Sequence, residues 1–299
     1  AAGFGFTAMF AWPHRYRPVT SPNYDEVGTT AYYALRLVEQ LVVFCIPAFL
    51  FVSGFFISVL TGRSRSTIDS RVVFGRIKSL LIPYLFWSAV VLGAFALEGR
   101  IFSGTRYLRM VLTGSSNPNY YYVPLLVQLY VLAPLIVLLA RWSWKVLLAT
   151  TAGLQLGVYA LQYAVVLRLD PPVFVSLAAA VPKWLFLAHV FWFSCGVVAG
   201  FQHQAFKLLL ERTKWVLLSS AIALFVLGVL EWEMLLRWSG SPWVENRATL
   251  IDGLYSGALI LSFNAPSIRG LGATGGFSVR RQGPSSGDFN KFSAVAQEF

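Results

Sequence analysis

Long uncharged stretches separated by short polar segments dominate this chain. Residues 41–60 are twenty consecutive residues without a charged side chain, and residues 120–140 are twenty-one. In an α-helix about twenty residues rise about 30 Å, which is the thickness of the hydrocarbon core of a bilayer. The pattern therefore predicts helices that cross a membrane.

Repeated along the chain, this pattern predicts an all-α fold, a polytopic transmembrane helix bundle with about eight visible spans. The bundle would form a transmembrane domain over residues 1–263. Residues 264–299 contain no span and are rich in Gly, Ser and Arg, so we expect a disordered tail there. The segments assigned to spans are 1–12, the outer end of a first helix, and 41–60, 80–98, 120–140, 146–167, 184–201, 215–230 and 248–263.

Composition supports a membrane protein. The 299 residues are 57% hydrophobic and 12% charged, whereas soluble domains contain about 25% charged residues. The net charge of +11 does not indicate nucleic-acid binding, because the basic residues lie between the spans, where they set orientation and attract anionic lipid. Cys45 and Cys195 lie in apolar segments without metal-ligand spacing, so we expect no disulfide, no metal site and no bound cofactor.

The polar segments divide unequally in charge between the two sides of the membrane. Segments 61–78, 141–145, 202–214 and 264–299 together carry a net charge of +10, whereas 13–38, 99–119, 168–183 and 231–247 carry +4. Lys and Arg close to spans stay in the cytoplasm. The bias predicts a multi-pass protein of the cell membrane whose N-terminus and 61–78 loop are cytoplasmic, with 99–119 as the discordant segment.

Ionisable residues at membrane depth are candidates for function, because their burial in hydrocarbon is costly. His14 lies at the end of the first predicted span, among prolines and arginines. A histidine there is suited to accept a proton from a hydroxyl near neutral pH. His189 and Asp252 are weaker candidates, since a hydrogen bond between helices or a place at the membrane interface explains each of them.

The basic segment 61–78 has two interpretations. It serves as a topological anchor, or Arg71, Arg76 and Lys78 at the mouth of a span bind a polyanionic cytosolic ligand through phosphate contacts. The sequence alone favours the anchor.

Several motifs together resemble the acyltransferase-3 family of integral membrane O-acyltransferases. They are WPHRYRP around His14, PAFLFVSGFFIS at 47–58, RIKSLLIPY at 76–84, YYYVPLLVQLYVLAPL at 120–135 and HVFWFSCGVVAG at 189–200. The resemblance covers about residues 5–263. It implies about ten spans, acyl-CoA as the cytosolic co-substrate, and a hydroxyl of an extracytoplasmic glycan or lipid-linked sugar as the acceptor.

The same resemblance assigns roles to residues. His14 would be the catalytic base, and Arg71, Arg76 and Lys78 would bind the phosphates of the acyl-CoA donor. Four further polar residues in the spans are predicted either to bind the acceptor or to pack helices: Ser53, Tyr122, Gln128 and Tyr130.

Two alternatives to a working transferase stay open. Gly3 stands where the family usually has Arg or Lys, so the chain in this form is also consistent with an inactive, degenerate or incomplete member. A non-enzymatic exporter of glycan or lipid could use the same bundle as a conduit. Detection of acyl transfer separates these classes.

Overall fold

The computed structural model describes residues 30–62, 68–117, 119–167, 172–239 and 249–262. The first predicted span with His14 and the predicted tail at 264–299 lie outside the described residues. Nine α-helices and a short 3₁₀ turn at Phe186–Ala188 form the described part. The helices are α1 (Thr30–Val42), α2 (Cys45–Thr61), α3 (Ser70–Leu97), α4 (Gly104–Thr113), α5 (Tyr122–Val166), α6 (Pro172–Ala180), α7 (Val190–Phe201), α8 (His203–Ser239) and α9 (Leu250–Ser262).

The helices confirm the predicted all-α membrane bundle, and the described residues contain no β-strand. Four helical segments are long and apolar enough to cross a membrane, and α7 and α9 are shorter apolar helices. The four long segments are Arg36–Thr61, Ser70–Leu97, Tyr122–Val166 and His203–Trp238.

Helix α5 is 45 residues long but is interrupted at Ser143, whose backbone is extended. The Ser143 hydroxyl accepts a hydrogen bond from the Val146 amide and caps the second half. The break corresponds to the polar connection that the sequence predicts at 141–145. We call the halves α5a (122–142) and α5b (144–166).

The chain reverses at this break. Tyr122 lies beside Phe49 near the start of α2, with ring centroids 6.3 Å apart. Arg141 donates a hydrogen bond of 2.6 Å to the carbonyl of Gly62 at the end of α2. Helix α5a therefore runs parallel to α2. Tyr159 of α5b lies again beside the first turn of α2, next to Ile46, so the two halves are antiparallel as two separate spans require.

Helices α2 and α7 pack against each other through glycines. A Cβ atom at Gly196 would lie 1.9 Å from the carbonyl oxygen of Phe51, and one at Gly54 would lie 2.0 Å from that of Phe193. Small residues let membrane helices approach this closely. The contact is central to the core, in which Leu50, Leu125, Leu129, Val137, Phe193 and Val197 are fully buried.

The structure corrects the predicted loops. The 61–78 loop ends early, because Asp69 caps the amide of Arg71 at 2.9 Å and α3 begins at Ser70. Helices α4 and α6 lie within 99–119 and 168–183, which the sequence treats as loops. The 37-residue α8 is about 55 Å long, and it includes most of the predicted polar segment 202–214 as well as 231–239.

Candidate functional site

A cluster of polar side chains is buried at the end of the bundle where α2 and α5a begin. At its centre Asp252 of α9 is 3% exposed and accepts a hydrogen bond of 2.7 Å from Gln40 of α1. The Asp252 amide donates to the hydroxyl of Thr249, which caps α9. A carboxyl group thus lies among the helices, bonded across the bundle to a fully buried amide side chain.

Helix α1 supplies an ion pair to the same cluster. Arg36 and Glu39 are both buried and form a salt bridge one turn apart. The Arg36 guanidinium also lies 4.2 Å from the ring centre of Trp232 on α8, a cation–π contact. Since residues three and four positions apart share a helix face, Arg36, Glu39 and Gln40 all point from α1 into the bundle.

The third part of the cluster joins α5b, α8 and α9. The Tyr163 hydroxyl donates a hydrogen bond to Glu231 and accepts one of 2.9 Å from the amide of Leu250. One tyrosine therefore connects the end of α8 to the start of α9. These bonds hold the helices that enclose Asp252.

A small cavity adjoins Asp252. Tyr159, His189, Trp192 and Ser256 line it together with Asp252, and its volume is about 20 Å³, enough for about one water molecule. Among the described residues, Oδ2 of Asp252 has no hydrogen-bond partner. The cavity therefore offers a hydrogen-bond acceptor to a single water or hydroxyl group.

Buried charge makes this cluster the strongest candidate in the described residues, because ionisable groups inside a membrane bundle are expensive and are kept for function or helix pairing. The sequence singled out Asp252 and His189, which the cavity brings together. It missed Arg36, Glu39 and Gln40. The available signal was their spacing within one helix turn just before the uncharged stretch at 41–60.

The opposite end of the bundle is basic. Arg141 at the end of α5a bonds Gly62 and lies 4.6 Å from the ring centre of Phe201 at the end of α7. Helix α3 begins at Ser70, eight residues after Gly62. Its first turns carry three exposed basic residues, Arg71, Arg76 and Lys78.

The helix separates these three basic residues into two groups. At about 100° per residue, Arg71 and Lys78 lie about 20° apart around α3, whereas Arg76 lies about 140° from Arg71. The described residues therefore place Arg71 and Lys78 on one face and Arg76 on another. The pair Arg76 and Lys78 does not form a single contact surface on the helix.

The other predicted polar residues make contacts within the protein. Gln128 donates to the carbonyl of Trp184 at 2.8 Å, which ties α5a to the segment before α7. Ser53 donates to the carbonyl of Phe49 in its own helix at 2.7 Å. Tyr130 is buried with its ring centroid 6.2 Å from that of Phe193, and Tyr122 packs on Phe49. The contacts of Gln128, Tyr130 and Tyr122 join different helices or segments, whereas that of Ser53 stays within α2.

His14, the predicted base, lies outside the described residues, so its distance to either end is not defined. The structure does describe the two ends of the bundle. A basic helix start lies at one end of the bundle, and a buried polar cluster lies at the other.

Comparison with known protein families gives a match over most of the chain. The model of a protein family described as an acyltransferase domain matches residues 10–277. No curated protein and no solved structure matches the chain. The match includes the predicted base, both halves of α5 and the whole of the buried cluster.

Proposed function

The chain belongs to the acyltransferase-3 family, whose model it matches over residues 10–277, and on that premise we propose which groups it transfers. It is a membrane acyltransferase. The donor is cytosolic acyl-CoA carrying an acetyl group, and the acceptor is a hydroxyl of an extracytoplasmic glycan or lipid-linked sugar. The protein binds no other cofactor and no nucleic acid, and it lies in the cell membrane with its N-terminus and the segment 61–78 in the cytoplasm.

The contrast between the two ends of the bundle supports this proposal most directly. Exposed Arg71, Arg76 and Lys78 suit the phosphates of a CoA donor, since arginine and lysine bind phosphate through charge-assisted hydrogen bonds. The buried cluster around Asp252 suits a hydroxyl, because Oδ2 of Asp252 has no hydrogen-bond partner among the described residues and can accept one. A reaction that joins a polyanionic donor to an alcohol needs both surfaces in one protein.

The reaction that we assign is direct transfer. His14 takes the proton of the acceptor hydroxyl as the oxygen attacks the thioester carbonyl. The C–O ester bond forms, the C–S bond breaks, and the CoA thiolate leaves and takes up a proton. Residues of the bundle hold donor and acceptor in line, which supplies part of the rate enhancement.

The test uses purified protein in lipid nanodiscs with acyl-labelled acetyl-CoA and glycan extracted from the membrane of the producing cells. We expect free CoA thiol to appear together with label in ester linkage to the glycan. Thiol release without glycan label would contradict the proposed acceptor. Release of neither product, from protein whose fold is intact by circular dichroism, would contradict the transferase and favour the exporter or the inactive form.

A further inference from the structure

Helix α4 presents two different surfaces side by side. Tyr107 and Val111 are partly buried, and Tyr84 of α3 donates a hydrogen bond to the carbonyl of Val111. Leu108 and Leu112, one turn apart, are 60% and 63% exposed. Arg106 and Arg109 lie on the next sector of the helix and are also exposed. The helix is therefore amphipathic, with a leucine stripe beside an arginine stripe.

The two arginines have no acidic partner among the described residues. They form no ion pair with any residue in the part of the chain that the structure describes. Residues 99–119 contain no Asp or Glu at all. The neighbouring Arg100 differs, because it pairs with Glu98 at 3.3 Å.

The arginines also border an open recess. Its volume is about 630 Å³, and Thr105, Arg106, Arg109, Met110 and Ser115 line it. The guanidinium of Arg106 lies 4.5 Å from the ring centre of Phe102, a contact that restricts its orientation. Two cations and two hydroxyl groups around one recess are suited to an anion with several oxygen atoms, such as a phosphate.

The exposed apolar residues distinguish a lipid from a soluble anion. Leu97 and Ile101, just before α4, are 92% and 83% exposed, so large apolar side chains are exposed both before the helix and on its leucine stripe. Helices with this arrangement lie in the membrane interface, with the apolar side toward acyl chains and the basic side toward headgroups. Tyr120, which contacts Tyr84 at 5.9 Å between ring centroids, places this region beside the start of α5a.

We propose that α4 is an interfacial anchor whose recess binds the phosphate of an anionic phospholipid at the end of the bundle that carries the buried polar cluster. Leu108 and Leu112 contact the acyl chains of that lipid, and Arg106 and Arg109 bind its headgroup. This binding also explains why the segment 99–119 is basic, although the charge bias places it on the side of the membrane where few basic residues are expected. It is independent of the transfer reaction.

Native mass spectrometry of the detergent-purified protein tests the proposal with two lipids of equal chain length, phosphatidylglycerol and phosphatidylcholine. The parent protein should retain phosphatidylglycerol in preference to phosphatidylcholine. Arg106→Gln combined with Arg109→Gln should weaken phosphatidylglycerol binding about twenty-fivefold, at about fivefold for each arginine near an anionic surface. Phosphatidylcholine binding should stay the same.

Arg100→Gln is the matched control, since it removes one charge from the same segment but from an arginine that already has an acidic partner. It should change phosphatidylglycerol binding less than twofold. If the double variant does not fold, Thr105→Glu keeps both arginines and places a negative charge in the recess, and it should weaken binding in the same way.

Four results would overturn the proposal. The double variant could retain phosphatidylglycerol at the parent level, or Arg100→Gln could lose as much binding as the double variant. Complete displacement of the lipid by an equal concentration of inorganic phosphate would indicate a site for soluble anions. A shift from dimer to monomer in the double variant without loss of lipid would identify the surface as a contact between two copies.

Discussion

Gln40 donates a hydrogen bond of 2.7 Å from its side-chain nitrogen to Oδ1 of Asp252, although 212 positions separate the two residues in the chain. Gln40 is 1% exposed and Asp252 is 3% exposed. The bond joins α1, which follows the segment that carries His14, to α9 at the other end of the described residues. It connects the first and the last of the described helices at the buried polar cluster.

We predict that this bond stabilises the bundle. Asp252→Ala removes the acceptor of a buried hydrogen bond and should lower the free energy of unfolding by about 1–3 kcal/mol. Gln40→Ala should lower it by a similar amount. Because both changes break the same bond, the double variant should lose clearly less than the sum of the two, as thermal unfolding in detergent would report.

Asp252→Asn is the control for this pair. Asparagine keeps an oxygen that accepts from Gln40 and removes a charge from the interior, so the variant should unfold near the parent temperature. Additive losses in the double variant, or a loss in Asp252→Asn as large as in Asp252→Ala, would contradict the assigned bond.

We predict that the close approach of α2 and α7 tolerates no added methyl group. Gly196→Ala would place Cβ 1.9 Å from the carbonyl oxygen of Phe51, which forces the two backbones apart. Overpacking of this kind costs about 1–3 kcal/mol. We expect a lower unfolding temperature and weaker expression in the membrane.

Gly153→Ala in α5b is the matched control, since among the described residues no atom outside its own helix backbone and chain neighbours lies within 4 Å of the added Cβ. This variant should unfold at the parent temperature or slightly above it, because alanine favours a helix more than glycine does. Equal effects of the two substitutions would show that helix propensity, not the contact between α2 and α7, decides the outcome.

The proposed reaction predicts that His14 and the start of α3 affect different kinetic constants. His14→Ala removes the base and should lower kcat by about two to four orders of magnitude while acyl-CoA binding stays near the parent level. Arg71→Ala with Lys78→Ala removes one basic face of α3, and Arg76→Ala removes the other. Removal of the face that contacts CoA should raise KM for the donor and leave kcat largely unchanged.

Arg212→Ala, at an exposed arginine of α8, controls for the loss of positive charge as such. It should leave both constants unchanged. Transfer at the parent rate by His14→Ala would show that another group is the base.

The proposed orientation predicts that the two ends of α3 differ in access from outside the cell. Single cysteines at Ser70 and Thr105, both exposed, are introduced after replacement of Cys45 and Cys195 by alanine. A maleimide that does not cross membranes should label Thr105→Cys in intact cells and Ser70→Cys after lysis. The reverse pattern would invert the topology.

The amino-acid sequence determined the fold class by itself. Length and hydrophobicity decide whether a segment can cross a bilayer, and both are local properties that a stretch such as 41–60 carries without reference to the rest of the chain. The reversal in α5 was likewise predictable, because Arg141 and Lys145 interrupt two uncharged stretches. The family motifs are also contiguous, which explains why the resemblance and the family match agree.

Local pattern did not determine where helices begin and end in the polar segments. Helix α4 is ten residues long, which is too short for a membrane span. Its two leucines alternate with arginines, so its mean hydropathy does not distinguish it from a polar connecting segment. The structure makes it a helix because Tyr84 and the aromatic residues around Phe102 pack against one of its faces.

The buried polar cluster was decided by tertiary structure. Arg36 and Arg71 both flank uncharged stretches and are equivalent by sequence, yet Arg36 is 3% exposed and Arg71 is exposed. The difference arises because Trp232 packs against Arg36, while α9 covers the same end of the bundle through Asp252 and Gln40. Burial of a charge depends on which distant helices cover it and pair with it, and that information exists only once the helices have packed.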